Sequence, residues 1–398
     1  MKKSAPEGVG LSSERLKRID ALMQRYVDGK KMAGLVALVA RHGRVVHFES
    51  FGVQDLETNK PMEPDAIFRL YSMTKPITSV ALMMLYEQGL FQLRDAVTRF
   101  LPEFKRVKVW KGEGQLVDPR REITYYDLLT HTAGLSYGGF EETGIPIDKL
   151  YDETDPLNLD ISNQEMVRRI ASLPLMFQPG ERWFYSVATD VVGHLVELIS
   201  DLPLDVFFEE RILRPLGMED TAFSVAADKQ GRFTTLYGPT EDGSLEVLNL
   251  PATGDWGTQP RLLAGGQGLA GTTADYLRFC QMLLNGGELD GVRLLGRKTV
   301  ELMTMNHLPD SMIPIGWPDD IMHGSGFGLG FRVRVDDAAA GLLGSVGEYS
   351  WGGYASTAFF IDPKEALIAI QMAQLLPSGY YPIRDEFRVL VYQALVDG

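Results

Sequence analysis

The chain has 398 residues, 45% of them apolar and 23% charged, an ordinary globular composition that excludes a long disordered or low-complexity tract. Fifty-three acidic against 39 basic side chains give a formal net charge of −14, and with no local basic patch this argues against nucleic acid and membrane surfaces as partners. One cysteine and six histidines, no two of the latter at i, i+3 or i, i+4, leave no basis for disulfides, Cys-rich zinc sites or helical metal pairs, so no cofactor is expected.

Met1-Lys2-Lys3 is followed by polar Ser-Ala-Pro-Glu-Gly, not by an apolar signal core, and no stretch reaches the ~18 apolar residues of a membrane span. A cytoplasmic protein is expected. Ser12 can cap a helix with Leu16, Ile19, Met23 and Tyr26 on one stripe. Residues 34–41 and 44–51 are β-rich runs joined at His42-Gly43, a hairpin signature. Leu35 to Ala40 is apolar on both faces, so helices should cover the sheet on each side. From Ser72 to about Gly89 the pattern is helical, with Gly89 placed to end the helix.

Helices then dominate: 125–130, 163–171, 186–200 and 204–213. Cys280 lies on an apolar helix face with Tyr276, Phe279 and Leu283 and reads as inert core. Gly324, Gly326, Gly328 and Gly330 are evenly spaced and match no phosphate loop, so a Gly-rich strand is expected. Phe331, Val333 and Val335 alternate with arginines, and runs at 355–361 and 366–374 flank an Asp362-Pro363 turn. A last helix carries Ile383, Phe387, Leu390, Val391 and Ala394 on one face.

Strands at both ends with helices between them predict an α/β (α+β) fold: an antiparallel sheet assembled from both termini, flanked by helices, plus an inserted mainly helical domain. The expected division is 1–82 with 220–398 as a discontinuous α/β domain, and 83–219 as the helical one.

Two serines compete for the role of nucleophile. Gly134-Leu135-Ser136-Tyr137-Gly138 fits G-x-S-x-G, but that elbow needs a strand before it and a helix after it, and the flanking sequence supplies neither. Ser72-Met73-Thr74-Lys75 has S-x-x-K spacing, of which chance supplies about one match in a chain of this length. Its context is better. The pair opens a predicted helix, where i, i+3 spacing puts both side chains on one face. Phe68, Leu70, Tyr71 and Ile77 can desolvate a lysine amine until it serves as base. The competing reading is a capping serine beside a solvated lysine.

Asp65 to Lys75, Leu128-Leu129-Thr130-His131-Thr132-Ala133-Gly134-Leu135 and Pro215-Leu216-Gly217-Met218, in that order, resemble the class C β-lactamase and D-alanyl-D-alanine peptidase superfamily. Within it, the chain is most similar to family VIII carboxylesterases. The resemblance implies Ser72 as nucleophile and Lys75 as its base. Where the superfamily carries Tyr-x-Asn, this chain has Tyr185-Ser186-Val187; Tyr185 matches the catalytic tyrosine, but Val187 cannot donate to a β-lactam side-chain amide. Where lactamases carry Lys-Thr-Gly, it has Trp351-Gly352-Gly353-Tyr354. Losing the lysine removes a partner for a substrate carboxylate, while an indole offers an apolar wall and two glycines let backbone come close.

The resemblance also implies an oxyanion hole from the backbone N–H groups of Ser72 and Tyr354, and a pocket lined by Trp351, Gly352, Gly353 and Tyr137. It assigns no role to Gly265-Gly266-Gln267-Gly268. The expected activity is hydrolysis of short-chain esters through an acyl-enzyme, with a small-molecule ester as the partner and the shared nucleophile leaving weak β-lactam hydrolysis open. Three other readings stand beside it: a β-lactamase or D-alanyl-D-alanine peptidase, an acyltransferase using the same acyl-enzyme, and a non-catalytic binding protein. Retention of Ser72, Lys75 and Tyr185 together argues against the last.

Overall fold

The computed structural model describes residues 2–112, 114–138, 146–248, 256–317 and 320–397. Helix α1 (Ser13–Asp28) is capped as expected, the Ser12 hydroxyl accepting from the Arg15 N–H, and it buries Leu16, Ile19, Leu22, Met23 and Tyr26. Strands β1 (Gly34–Arg41) and β2 (Arg44–Asp55) form the first hairpin. His42 and Gly43 both have positive φ, which a two-residue turn needs to match the twist of its strands.

The helical middle includes α2 (Thr74–Glu87), α3 (Tyr125–Leu129) and α4 (Ala188–Ser200). The expected helix over 204–213 is α-helical only at Leu204–Phe208 and continues as a π-helix at Glu209–Leu213. Helix α5 (Thr273–Leu284) precedes the C-terminal strands β3 (Ser325–Phe327), β4 (Arg332–Arg334), β5 (Tyr349–Gly352), β6 (Ala358–Asp362) and β7 (Leu367–Ala373), and α6 (Ile383–Tyr392) follows them.

The sheet order is β2-β1-β7-β6-β5-β4-β3, with every neighbour antiparallel. β1 from the front of the chain pairs with β7 from its end, Leu35 opposite Ala373 through Arg41 opposite Leu367. One expectation needs correction. Lys2–Lys3 lies parallel to β2, so the sheet is mixed; α1 supplies the crossover that a parallel pairing requires.

Because side chains alternate across a strand, β1 feeds two cores. Leu35, Ala37 and Val39 pack with α1 and α6, while Val36, Leu38 and Ala40 join the larger core under α2 and α5. Full burial of one such aliphatic side chain contributes about 1.5–3 kcal/mol. The run expected to be strand from 355 begins only at Ala358. Residues 353–357 turn instead, the Gly353 N–H donating to the Thr357 carbonyl at 2.9 Å and Ser356 sitting at φ +63°. Among the described residues, no helix is long and apolar enough to cross a membrane.

Candidate active site

Ser72 sits in a 3₁₀ turn, Tyr71–Met73, that runs into α2. Tyr71 has φ +45°, a left-handed conformation that costs a non-glycine residue about 1–2 kcal/mol and persists only where packing enforces it. Enforcement comes from both sides. The Leu70 N–H donates to the Leu269 carbonyl at 2.9 Å, the Tyr276 hydroxyl donates to the Met73 carbonyl at 2.9 Å, and the Tyr71 ring meets Tyr354 edge-on at 6.2 Å. The turn leaves Ser72 half-buried while α2 behind it is almost wholly buried.

Lys75 is only 1% exposed, and its amine has three oxygen neighbours: Tyr137 Oη at 2.7 Å, the Gly266 carbonyl at 2.8 Å and Ser72 Oγ at 3.3 Å. The Gly266 carbonyl can only accept. With hydrogens directed at Gly266 and Tyr137, the amine presents its remaining position to Ser72 Oγ. On the other side of Ser72, the Tyr185 hydroxyl donates to Oγ at 2.7 Å. The Lys75 ammonium position also lies 4.6 Å from the centre of the Tyr185 ring. Thus Tyr185, distant in sequence, joins Ser72 and Lys75 around one oxygen.

Two further side chains, His131 and Asp190, stand around this centre without having been singled out for it in the sequence. His131 is buried, its ring 4.9 Å from that of Tyr185, and its Nδ1 accepts from the Ser186 N–H at 3.3 Å. Burial, aided by the Lys75 charge, drives this imidazole well below its ordinary range and keeps it neutral. Asp190 in the first turn of α4 is fully buried, and its Oδ1 accepts the Gly266 N–H at 2.9 Å. Burial raises its carboxyl, against the lowering pull of Lys75 and the Gly266 N–H. Any side chain at 266 would collide with that carboxylate. The unassigned Gly-Gly-Gln-Gly loop thus delivers a carbonyl to Lys75.

Tyr137 bonds Lys75 in addition to standing beside the site, and burial, with Tyr185 and Asp190 nearby, pushes its phenol well above the usual tyrosine range. Val187 is fully buried and takes the N-cap position of α4, its N–H donating to the Ser136 carbonyl. At the end of β5, the Trp351 indole N–H reaches Tyr185 Oη at 3.4 Å and its ring lies 5.2 Å from that of Tyr185. The space left by the two glycines after it is taken by protein: a Cβ at Gly352 would press on the Arg384 guanidinium, and one at Gly353 would collide with the Leu70 carbonyl and Thr357. Trp317, on a short hairpin, closes over Tyr185 with ring centres 5.3 Å apart.

The competing serine has another task. Ser136 is fully buried and donates to Asp148 at 2.5 Å while accepting the Gly138 N–H, which ties down its own loop. Cys280 is buried on α5, its thiol raised well above the ordinary range by burial. The glycine run at 324–330 includes β3 and packs closely against Asn306 and Ser79.

A family model described as Beta-lactamase matches residues 19–393. The chain belongs to the β-lactamase family. An uncharacterized protein of Mycobacterium tuberculosis is 37% identical over 369 residues, covering 90% of this chain and 89% of that one. Esterase EstB of Burkholderia gladioli is 33% identical over 401 residues, 94% of each chain. The solved structure of EstCE1, a hydrolase with promiscuous acyltransferase activity, has a TM-score of 0.82 at 27% identity, covering 96% of this chain and 99% of that one. The chain is a serine β-lactamase-like hydrolase with esterases among its relatives.

Proposed function

We propose that the protein is a serine carboxylesterase that hydrolyses short-chain, uncharged esters through an acyl-enzyme on Ser72. The observation that carries this reading is the pair of contacts on Ser72 Oγ, Tyr185 at 2.7 Å and Lys75 at 3.3 Å, with the other two bonds of the amine already committed.

Lys75, coupled to Tyr185, takes the Ser72 proton as Oγ bonds to the ester carbonyl carbon. The negative charge on the carbonyl oxygen is met by the N–H groups of Ser72 and Tyr354, each such donor typically contributing a few kcal/mol. Tyr185 passes a proton to the departing alkoxide as the carbon–oxygen bond breaks. Water then attacks the acyl carbon, the same pair takes its proton and hands it to Ser72 Oγ as the acyl–Oγ bond breaks, and the acid is released. We also assign residues 1–82 with 220–398 and residues 83–219 to two domains, with Ser72 and Lys75 from one meeting Tyr185 from the other.

Val187 and Trp351, in place of an amide and a cation, favour a neutral substrate over penicillins or peptide carboxylates. EstB, an esterase by name, supports this choice. A second reading has one specific support, the acyltransferase activity in the description of EstCE1: the same acyl-enzyme would pass its acyl group to an alcohol. Both are tested on p-nitrophenyl acetate and butyrate beside a cephalosporin, with and without an added alcohol. Ser72→Ala should abolish ester hydrolysis, while Ser136→Ala keeps its rate per folded molecule and loses thermal stability. Activity surviving in Ser72→Ala, or a cephalosporin turned over with higher kcat/KM than every short ester, would sink the esterase reading; acyl transfer outpacing hydrolysis would establish the second.

A further inference from the structure

Arg384 is an expensive residue in its place. It lies in the first turn of α6, where the helix dipole disfavours a cation. Burial pulls its guanidinium down to about 10, with Asp320 and Asp385 attracting it only from a distance. Among the described residues it has no ion-pair partner, and its Nε is buried without a hydrogen-bond acceptor. Its Nη2 is fully engaged, donating to the Gly353 carbonyl at 2.6 Å and the Thr357 carbonyl at 2.9 Å.

Those two bonds fall on one functional element. Trp351 turns its side chain to Tyr185, so Gly352, next along β5, faces the other way, towards α6, and its missing Cβ is what admits the guanidinium. The Gly353 carbonyl belongs to the same peptide group as the Tyr354 N–H. That peptide is trans, which sends the N–H away from the Arg384 and Thr357 side. The Tyr354 N–H has no protein acceptor among the described residues. A Cβ at Gly353 would meet the Leu70 carbonyl as well as Thr357, so Gly353 abuts the residue two before Ser72.

We propose that Arg384 is a positioning residue for the oxyanion hole: from behind β5 it clamps and polarises the Gly353–Tyr354 peptide, fixing the Tyr354 N–H as a strengthened donor beside Ser72. A cation bonded to a peptide carbonyl draws electron density from the amide and makes its N–H a better donor, and the second bond, to Thr357, holds the turn so that the donor needs no reorganisation during reaction. The inference rests on Ser72 as nucleophile and Tyr354 as oxyanion donor.

The test uses the full-length protein with Arg384→Met and Arg384→Lys, measuring p-nitrophenyl butyrate kinetics, inhibition by benzeneboronic acid and thermal melts. Deleting a donor outright typically costs about a hundredfold to a thousandfold in kcat, so weakening one should cost about tenfold to a hundredfold. KM should change little, boronate inhibition should weaken by the same factor as kcat because its tetrahedral adduct places an oxygen in the hole, and Arg384→Lys should recover part of both. Should Arg384→Met not fold, Arg384→Gln is read in the same way. A kcat within twofold of the parent, or a loss of kcat with boronate affinity unchanged, overturns the proposal. With Ser72→Ala inactive, such a result removes only the role of Arg384; an active Ser72→Ala removes the esterase reading and this proposal together.

Discussion

The Lys75 amine meets oxygens of Ser72, Tyr137 and Gly266, and in the proposed reaction its usefulness as a base depends on Tyr137 and Gly266 keeping its protons occupied. Tyr137→Phe removes one acceptor and leaves the ring, so the amine is free to turn from Ser72. The expected outcome is a fall in kcat of about tenfold, the worth of a hydrogen bond to a charged group, with KM little changed and the melting temperature nearly so. Steady-state kinetics on p-nitrophenyl butyrate beside a melt decide it, and an unchanged kcat would mean that Gly266 and Ser72 suffice to orient the amine. Ser72, Lys75 and Tyr185 were legible in the sequence because each stands in a short motif that resembles known ones. Asp190, His131 and Arg384 were not, since each acts through a backbone group far away in sequence, and nothing local marks a carboxylate that will accept the Gly266 N–H.

At the scale of elements, the decisive feature is where β5 and β6 stop pairing. Alternation and β-propensity predicted strand from 355, but Gly353 and Thr357 close a turn that Arg384 clamps, and Tyr354 is thereby released from the ladder. Gly353 makes that possible by lying against Leu70 with no Cβ between them. Gly353→Ala should lower stability by about 1–3 kcal/mol, the usual cost of overpacking, and should also depress kcat because the strand end must move away from Ser72. Denaturant unfolding and kcat measured on one preparation check both. Wild-type kcat in a destabilised variant would show that the strand end does not set the reaction geometry. By contrast, α1 and the first hairpin followed their sequence signals closely, since a serine cap and a two-residue turn are decided by nearest neighbours.

For the whole molecule, stability should carry a pH signature set by Asp275, which joins the N-terminal end of α5 to Asp220 and Thr221 by accepting the Asp220 N–H at 2.8 Å and the Thr221 hydroxyl at 2.9 Å. Burial raises Asp275 from 3.8 to about 6. Between those values the folded state binds more protons than the unfolded, so this carboxyl adds stability as pH falls from about 6 towards 4 and costs stability above that window. Asp220, held down to about 2 first by its bond to Arg232, acts in the opposite sense: it stabilises above 4 and loses that contribution as pH drops further. Melts of the parent and Asp275→Asn from pH 4 to 7 should diverge most at the upper end, with the variant flatter; parallel curves would show that Asp275 titrates normally. The sequence by itself determined the sheet built from both ends of the chain, the buried character of β1, and which serine carries a lysine three residues on, because periodicity, caps and motif spacing are local properties. Only the tertiary structure decided that Ser136 is a loop tie, that the glycines after Trp351 make room for Arg384 and Leu70, and that a buried aspartate steadies the loop serving Lys75. Those outcomes depend on which distant backbone groups are left unpaired when the sheet closes, and no window along the chain records that.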